Sequence, residues 1–144
     1  MRFERSMKYF DYEYRVRYAD TDKMGISYYA NYFVWFGAAQ TEYFRALGWP
    51  YTECEKQGCY LPVVETGVRY HSPSIYDDLI VVRTSVSEAS RSGMKFEYRV
   101  LQKETQKLLV TGFTRHMAVN GQMKPCALPE AIRKAVTVYS LLEK

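Results

Sequence analysis

Two aspartates, Asp20 and Asp22, stand one residue apart in YADTDKMGISYYANYFVWF, residues 18–36, directly ahead of an aromatic-rich run. Burying a carboxylate is costly unless it is hydrogen-bonded or paired. Either these acids are caps and turn formers, or one of them does chemistry as a nucleophile or general base. Few other residues compete for that role. His71 precedes Ser72-Pro73 at the end of a predicted strand, and His116 falls inside a later one, where it reads as a satisfied sheet residue. Cys54, Cys59 and Cys126 have no zinc spacing, and neither a Cys/His nor a Ser/His/Asp pattern has recognisable local context. A phosphate-binding glycine loop and a dinucleotide fingerprint are both missing from the sequence.

The elements that must position these acids are legible from periodicity. Residues 12–19 alternate as a half-buried strand, with Tyr14, Val16 and Tyr18 on one face and Arg15 and Arg17 on the other. Residues 28–47 read as one helix, because Tyr28, Tyr32, Phe36, Ala39, Tyr43 and Leu47 recur at spacings of three and four. Phe33, Val34, Trp35 and Phe44 make its first turns apolar nearly all round, which predicts a buried helix. Gly48 stands where a left-handed cap belongs, with Pro50 just beyond. A short helical turn at 51–58 follows, then strands at 61–71, 78–89, 93–102 and 107–120. Gly112 inside the last strand predicts a bulge or a close approach. Pro129 opens a final helix over 130–142. One helix followed by clustered strands implies an α+β class with an antiparallel sheet covering the helix.

The totals bound the setting. One domain spanning 1–144 is expected at this length. A net charge of +4 with no basic run is too small to imply nucleic acid, although it favours a small anionic ligand. No stretch approaches the ~18 apolar residues of a membrane span. The start, MRFERSMKYF, has no signal-peptide core. Three cysteines leave an odd thiol under any pairing, which suggests a reducing compartment, so the cytoplasm is the expected location. The 14 tyrosines line a pocket, cover an interface or fill the core.

The element order and the opening motif resemble the hotdog fold, and specifically the 4-hydroxybenzoyl-CoA thioesterase family of acyl-CoA thioesterases. The residues that carry the resemblance are Tyr18, Asp20-Thr21-Asp22, Gly25, Tyr29, Asn31-Tyr32, Trp35-Phe36, Thr41-Glu42 and Leu47-Gly48. It continues more loosely through Arg69-Tyr70, Pro73 and Tyr76-Asp77-Asp78. The resemblance implies a curved antiparallel sheet wrapped around one long helix, hydrolysing an acyl-CoA to the free acid and CoA. Asp22 would act as nucleophile or general base. Asp20 reads, from its own position, as a turn former or a partner for Arg15 or Arg17. A backbone N–H near Tyr29 would hold the oxyanion, since a helix start carries free N–H groups and about half a positive charge. One such donor is typically worth about 3 kcal/mol of barrier. Substrate contacts would come from Gly25 and from the turn holding Arg91, Ser92 and Gly93, where a cation, hydroxyls and flexible backbone suit the CoA phosphates. Lys95 stands nearby.

Two departures bear on the substrate. Tyr29 stands where many relatives have histidine. Gly37 and Gln40 stand where the helix often carries a Glu/Arg pair, so an apolar acyl chain is favoured over a hydroxybenzoyl group. No metal or cofactor is implied beyond the CoA of the substrate. A homodimer or homotetramer is expected, because a lone sheet leaves an open edge. The alternatives are the same chemistry on acyl-carrier-protein thioesters, or a non-catalytic acyl-CoA-binding module.

Overall fold

The computed structural model describes residues 3–4 and 9–138. Its strands are β1 (Phe3–Glu4), β2 (Tyr9–Arg15), β3 (Val63–Tyr70), β4 (Leu79–Ala89), β5 (Gly93–Gln102) and β6 (Leu108–Met117). They form one antiparallel sheet in the order β1-β2-β4-β5-β6-β3. The helices are α1 (Asn31–Ala46), α2 (Tyr51–Lys56) and α3 (Glu130–Val138). This is the α+β hotdog arrangement, with α1 as the wrapped helix. The part of the expected final helix beyond Val138 lies outside the described residues.

The core is built where the two periodicities meet. Ile80, Val82, Thr84 and Val86 of β4 and Met94, Phe96, Tyr98 and Val100 of β5 alternate onto one buried face. Onto it α1 lays Tyr32, Trp35, Phe36, Ala39, Tyr43 and Phe44, all buried. Phe36 stacks on Tyr98 with ring centroids 4.3 Å apart and planes 7° from parallel. Burying a side chain of this size stabilises by about 1.5–3 kcal/mol. Gly112 is opposite Tyr98 on β6, directly under the same ring. A Cβ there would lie 2.7 Å from a Phe36 ring carbon and 3.0 Å from the Gly67 carbonyl oxygen. The glycine therefore marks a close approach of helix to sheet.

Gly48 ends α1 with φ of +84°, a conformation that favours glycine. Its N–H donates to Arg45 O, and that of Trp49 donates to Phe44 O, which satisfies two of the last free carbonyls.

Three expectations are corrected. The first main strand ends at Arg15, and Tyr18–Asp20 form a 3₁₀ turn that leaves Tyr18 exposed. The cause is Asp20, whose carboxylate accepts the Arg17 N–H at 2.8 Å and the Tyr14 hydroxyl at 2.5 Å. Second, α1 starts at Asn31 because the Tyr28 N–H is already committed to Asp20 O and the Asn31 N–H closes a tight turn onto Tyr28 O. Third, α1 is not buried all round. Phe33 and Val34 are 37% and 66% exposed, and Val63 and Val64 of β3 are exposed too. The sheet covers only one face of the helix, and among the described residues β3 pairs with β6 alone.

Candidate active site

The segment from Asp20 to Asn31 is fixed at both ends. Asp20 holds the entry through the bonds above, and Arg17 Nε donates to the Tyr14 hydroxyl at 2.8 Å. Asp20 O accepts from the Tyr28 N–H at 2.8 Å and from Asn31 Nδ2 at 2.7 Å. All of these bonds shape the turn, and those to the carboxylate meet at Oδ2. Between these anchors Asp22 N–H donates to Ile26 O and Gly25 N–H donates to Asp22 O, both at 2.9 Å. Gly25 makes that tight hairpin possible with φ of +82°. The hairpin is strapped to the segment after β3. Ser27 N–H donates to Ser74 O at 2.8 Å, and the two serine hydroxyls are 2.6 Å apart. The buried Tyr32 hydroxyl reaches Ser74 Oγ at 2.9 Å, which ties α1 to the same point.

Within this frame Asp22 is half-buried. Its Oδ1 accepts the Met24 N–H at 2.8 Å, and its second oxygen has no hydrogen bond among the described residues. Oδ1 thus serves as a turn former. The N–H groups of Tyr29 and Ala30 donate to nothing among the described residues, whereas that of Tyr28 is occupied. The turn ahead of α1 therefore presents two free donors next to the acid-bearing loop, at the positive end of the helix. The Tyr28 phenol is raised above the ordinary tyrosine range, chiefly by the neighbouring Tyr29 hydroxyl, with the Asp22 charge contributing.

Beside these donors is a cavity of about 270 Å³ lined by Ile26, Ser27, Tyr29, Tyr32, Tyr70 and His71, among others. His71 Nε2 is 3.0 Å from Thr111 Oγ1, so the imidazole is held at the cavity rim. Tyr70 and His71 are functional candidates that periodicity does not single out. Both belong to strand sequence, and only their long-range contacts place them here. His116 is a satisfied core residue. Its nitrogens are 2.9 Å from Leu61 O and 2.8 Å from Thr114 Oγ1, and burial pushes its pKa down.

The turn between β4 and β5 holds Arg91, Ser92 and Gly93. Ser92 and Gly93 line a cavity of about 490 Å³ with Arg115 and His116. Arg91 and Ser92 line another of about 310 Å³ with Pro125 and Cys126. Arg91 is exposed and has no acidic partner among the described residues. Lys95 is committed elsewhere, with its ammonium 3.8 Å from Glu88 and 4.8 Å from the centre of the Phe113 ring.

Neither cavity shares a lining residue with the one at Tyr29. Register explains the separation. Gly93 is opposite Met117, and Val63 is opposite His116, which places this turn at the Val63 end of β3. The Tyr29 turn contacts Tyr70 at the other end. Seven residue steps along a strand span about 23 Å. Asp22 and Gly25 share one hairpin and Tyr29 follows it in the same strapped segment, whereas Arg91, Ser92 and Gly93 stand at the Val63 end of β3. Gly37 is exposed on α1, and a Cβ there would meet nothing within 4 Å, so the missing acidic side chain leaves open space.

The profile of the thioesterase-like superfamily matches residues 16–136. The chain is 32% identical over 133 residues to a putative acyl-CoA thioesterase, YneP, of Bacillus subtilis, covering 92% of this chain and 96% of that one. It is 34% identical over 129 residues to the acyl-CoA thioesterase YbgC of Haemophilus influenzae, covering 88% and 93%. The solved structure of a DHNA-CoA thioesterase from Staphylococcus aureus superposes with a TM-score of 0.82 at 33% identity, covering 91% of this chain and 88% of that one. With its wrapped α1, its Asp22 loop and these matches, the chain belongs to the thioesterase-like superfamily.

Proposed function

We propose that this protein is an acyl-CoA thioesterase that hydrolyses an acyl-CoA to the free carboxylic acid and CoA. The observation that carries the reading is that one short, strapped segment holds both an unbonded Asp22 oxygen and the free N–H groups of Tyr29 and Ala30. A thioester carbonyl placed over that turn would direct its oxygen at the N–H groups. Asp22 then attacks the carbonyl carbon, or deprotonates a water that does so. Charge developing on oxygen is held by donors already oriented, which is the economical form of electrostatic stabilisation. The C–S bond breaks, CoA leaves as the thiol, and water supplies the acid oxygen and the proton. The reaction consumes only water. Gly25 shapes the loop, and the open space at Gly37 with the exposed apolar Phe33 and Val34 on the same helix suits an apolar acyl chain.

The CoA phosphates would be met by Arg91, Ser92 and Gly93. Those residues stand at the far end of β3 from Asp22 in the same chain. Antiparallel pairing of the two open β3 edges about a twofold axis would bring the Val63 end of one copy beside the Tyr70 end of the other. The exposed Val63, Val64, Phe33 and Val34 supply apolar surface for that contact. The working unit in this reading is a homodimer, or a pair of dimers, in the cytoplasm.

The test is release of free thiol from acetyl-, butyryl-, octanoyl-, palmitoyl- and benzoyl-CoA. Turnover of at least one supports the reading, and the preferred member names the pocket. Absence of turnover on all five by folded protein overturns it in favour of carrier-protein thioesters or simple ligand binding.

A further inference from the structure

Tyr70 closes β3 at the open edge of the sheet, where its side chain is 45% exposed. An exposed edge tyrosine ordinarily needs no partner, yet this hydroxyl donates to the carbonyl oxygen of Tyr29 at 3.0 Å, across 41 residues of sequence. Its ring is held from two sides, edge-on to Tyr32 at 5.6 Å and to Tyr29 at 6.4 Å. Tyr32 is itself fixed by its bond to Ser74. The hydroxyl is thus aimed by packing rather than left to rotate in water.

The acceptor gives this bond its significance. In a planar trans peptide the carbonyl of one residue and the N–H of the next point in opposite directions. Holding the Tyr29 carbonyl therefore sets the direction of the Ala30 N–H, one of the two free donors of the turn. The preceding unit is oriented in the same manner, because the Tyr28 carbonyl accepts the Asn31 N–H at 2.9 Å and so directs the Tyr29 N–H. One peptide is thus oriented by the helix start and the other by a side chain from a distant strand. Accepting a hydrogen bond at the carbonyl also polarises the unit and strengthens its N–H as a donor. A phenol is protonated at neutral pH and so can donate; burial raises that of Tyr70 further.

We infer that Tyr70 is a positioning residue for the oxyanion site: its hydroxyl fixes the Tyr29–Ala30 peptide so that the Ala30 N–H serves as a second donor beside that of Tyr29. The inference rests on the thioesterase reading above. It assigns Tyr70 no contact with the substrate. Its effect is on the charge that develops in the transition state, so it should act on kcat rather than on substrate binding.

The experiment compares wild type with Tyr70→Phe, which keeps the ring contacts and removes only the hydroxyl. The substrate is the acyl-CoA that wild type turns over fastest. The binding probe is the matching S-alkyl-CoA thioether, which has a methylene in place of the carbonyl. The expected result is a kcat lower by about three- to twelvefold, the worth of one hydrogen bond. KM and thioether affinity should stay within about twofold, and the thermal midpoint within about 2 °C. A kcat within twofold of wild type overturns the inference and leaves the thioesterase reading standing. So does a thioether affinity that falls in step with kcat, because Tyr70 would then bind the chain. Wild type inactive on every acyl-CoA fails the thioesterase reading and this inference with it.

Discussion

Replacing Gly112 with alanine tests the contact that sets how deeply α1 lies in the sheet. The new methyl would be centred 2.7 Å and 2.8 Å from two Phe36 ring carbons and 3.0 Å from Gly67 O, all inside van der Waals contact. Relief by rotation of the ring is blocked, because Phe36 is stacked on Tyr98 at 4.3 Å and Tyr98 is anchored through its hydroxyl to Thr114 Oγ1 at 2.7 Å. The helix or β6 must shift instead. Overpacking of this kind costs about 1–3 kcal/mol, which lowers the thermal midpoint by roughly 3–10 °C for a chain of this size. A shift of α1 also moves the Tyr29 turn at its start, so kcat should fall at least tenfold, since a misplacement of about 1 Å can cost ~100-fold. Differential scanning calorimetry and thiol release measure the two effects. Gly121→Ala is the control, because a Cβ there meets nothing within 4 Å. Wild-type stability and activity in Gly112→Ala would refute the claim that this contact sets the helix position.

Three further outcomes are expected. Arg91→Ala should raise KM for the preferred acyl-CoA about five- to tenfold with kcat unchanged, and the difference should shrink in high salt; an unaltered KM removes this turn from the CoA site. His116 is buried with its pKa depressed, so the unfolded chain binds the proton more readily, and stability should be lost as pH falls below the unfolded value of about 6.5. Thermal midpoints across pH 5–8 should show that slope in wild type and a flatter one in His116→Gln. Val64→Lys places a charge on the exposed β3 edge and should convert a wild-type dimer to monomer by light scattering, with loss of turnover; an active wild-type monomer contradicts the edge-pairing proposal.

Much of this fold is legible in local sequence. The spacing of Tyr32, Phe36, Ala39 and Tyr43 finds α1, and Gly48 marks its end, because both signals come from within a few residues. Gly112 announces a close approach without naming Phe36 as the neighbour. The start of α1 and the end of β2 are less legible. Both depend on Asp20, whose carboxylate and carbonyl each take two hydrogen bonds and thereby replace strand and helix with a 3₁₀ turn and a tight turn. Periodicity carries no record of such bonds. The acid, glycine and aromatic helix start of the candidate site are contiguous, so they can be found as a motif. Tyr70, His71 and Ser74 reach the same place from more than 40 residues away, through the pairing of β3 with β6 and the strap from Ser74 to Ser27. The distance between Arg91 and Asp22 is likewise a product of strand register, and no linear pattern reports it.

Asp22 carries the proposed chemistry. Asp22→Asn keeps an oxygen to accept the Met24 N–H, so the loop and the thermal midpoint should be preserved, while the negative charge is removed from the unbonded oxygen. Steady-state thiol release from the preferred acyl-CoA should then fall at least ~100-fold in kcat with a nearly unchanged KM. A variant that folds as wild type does and retains more than about a tenth of its kcat would contradict a catalytic Asp22 and leave the residue as a turn former only.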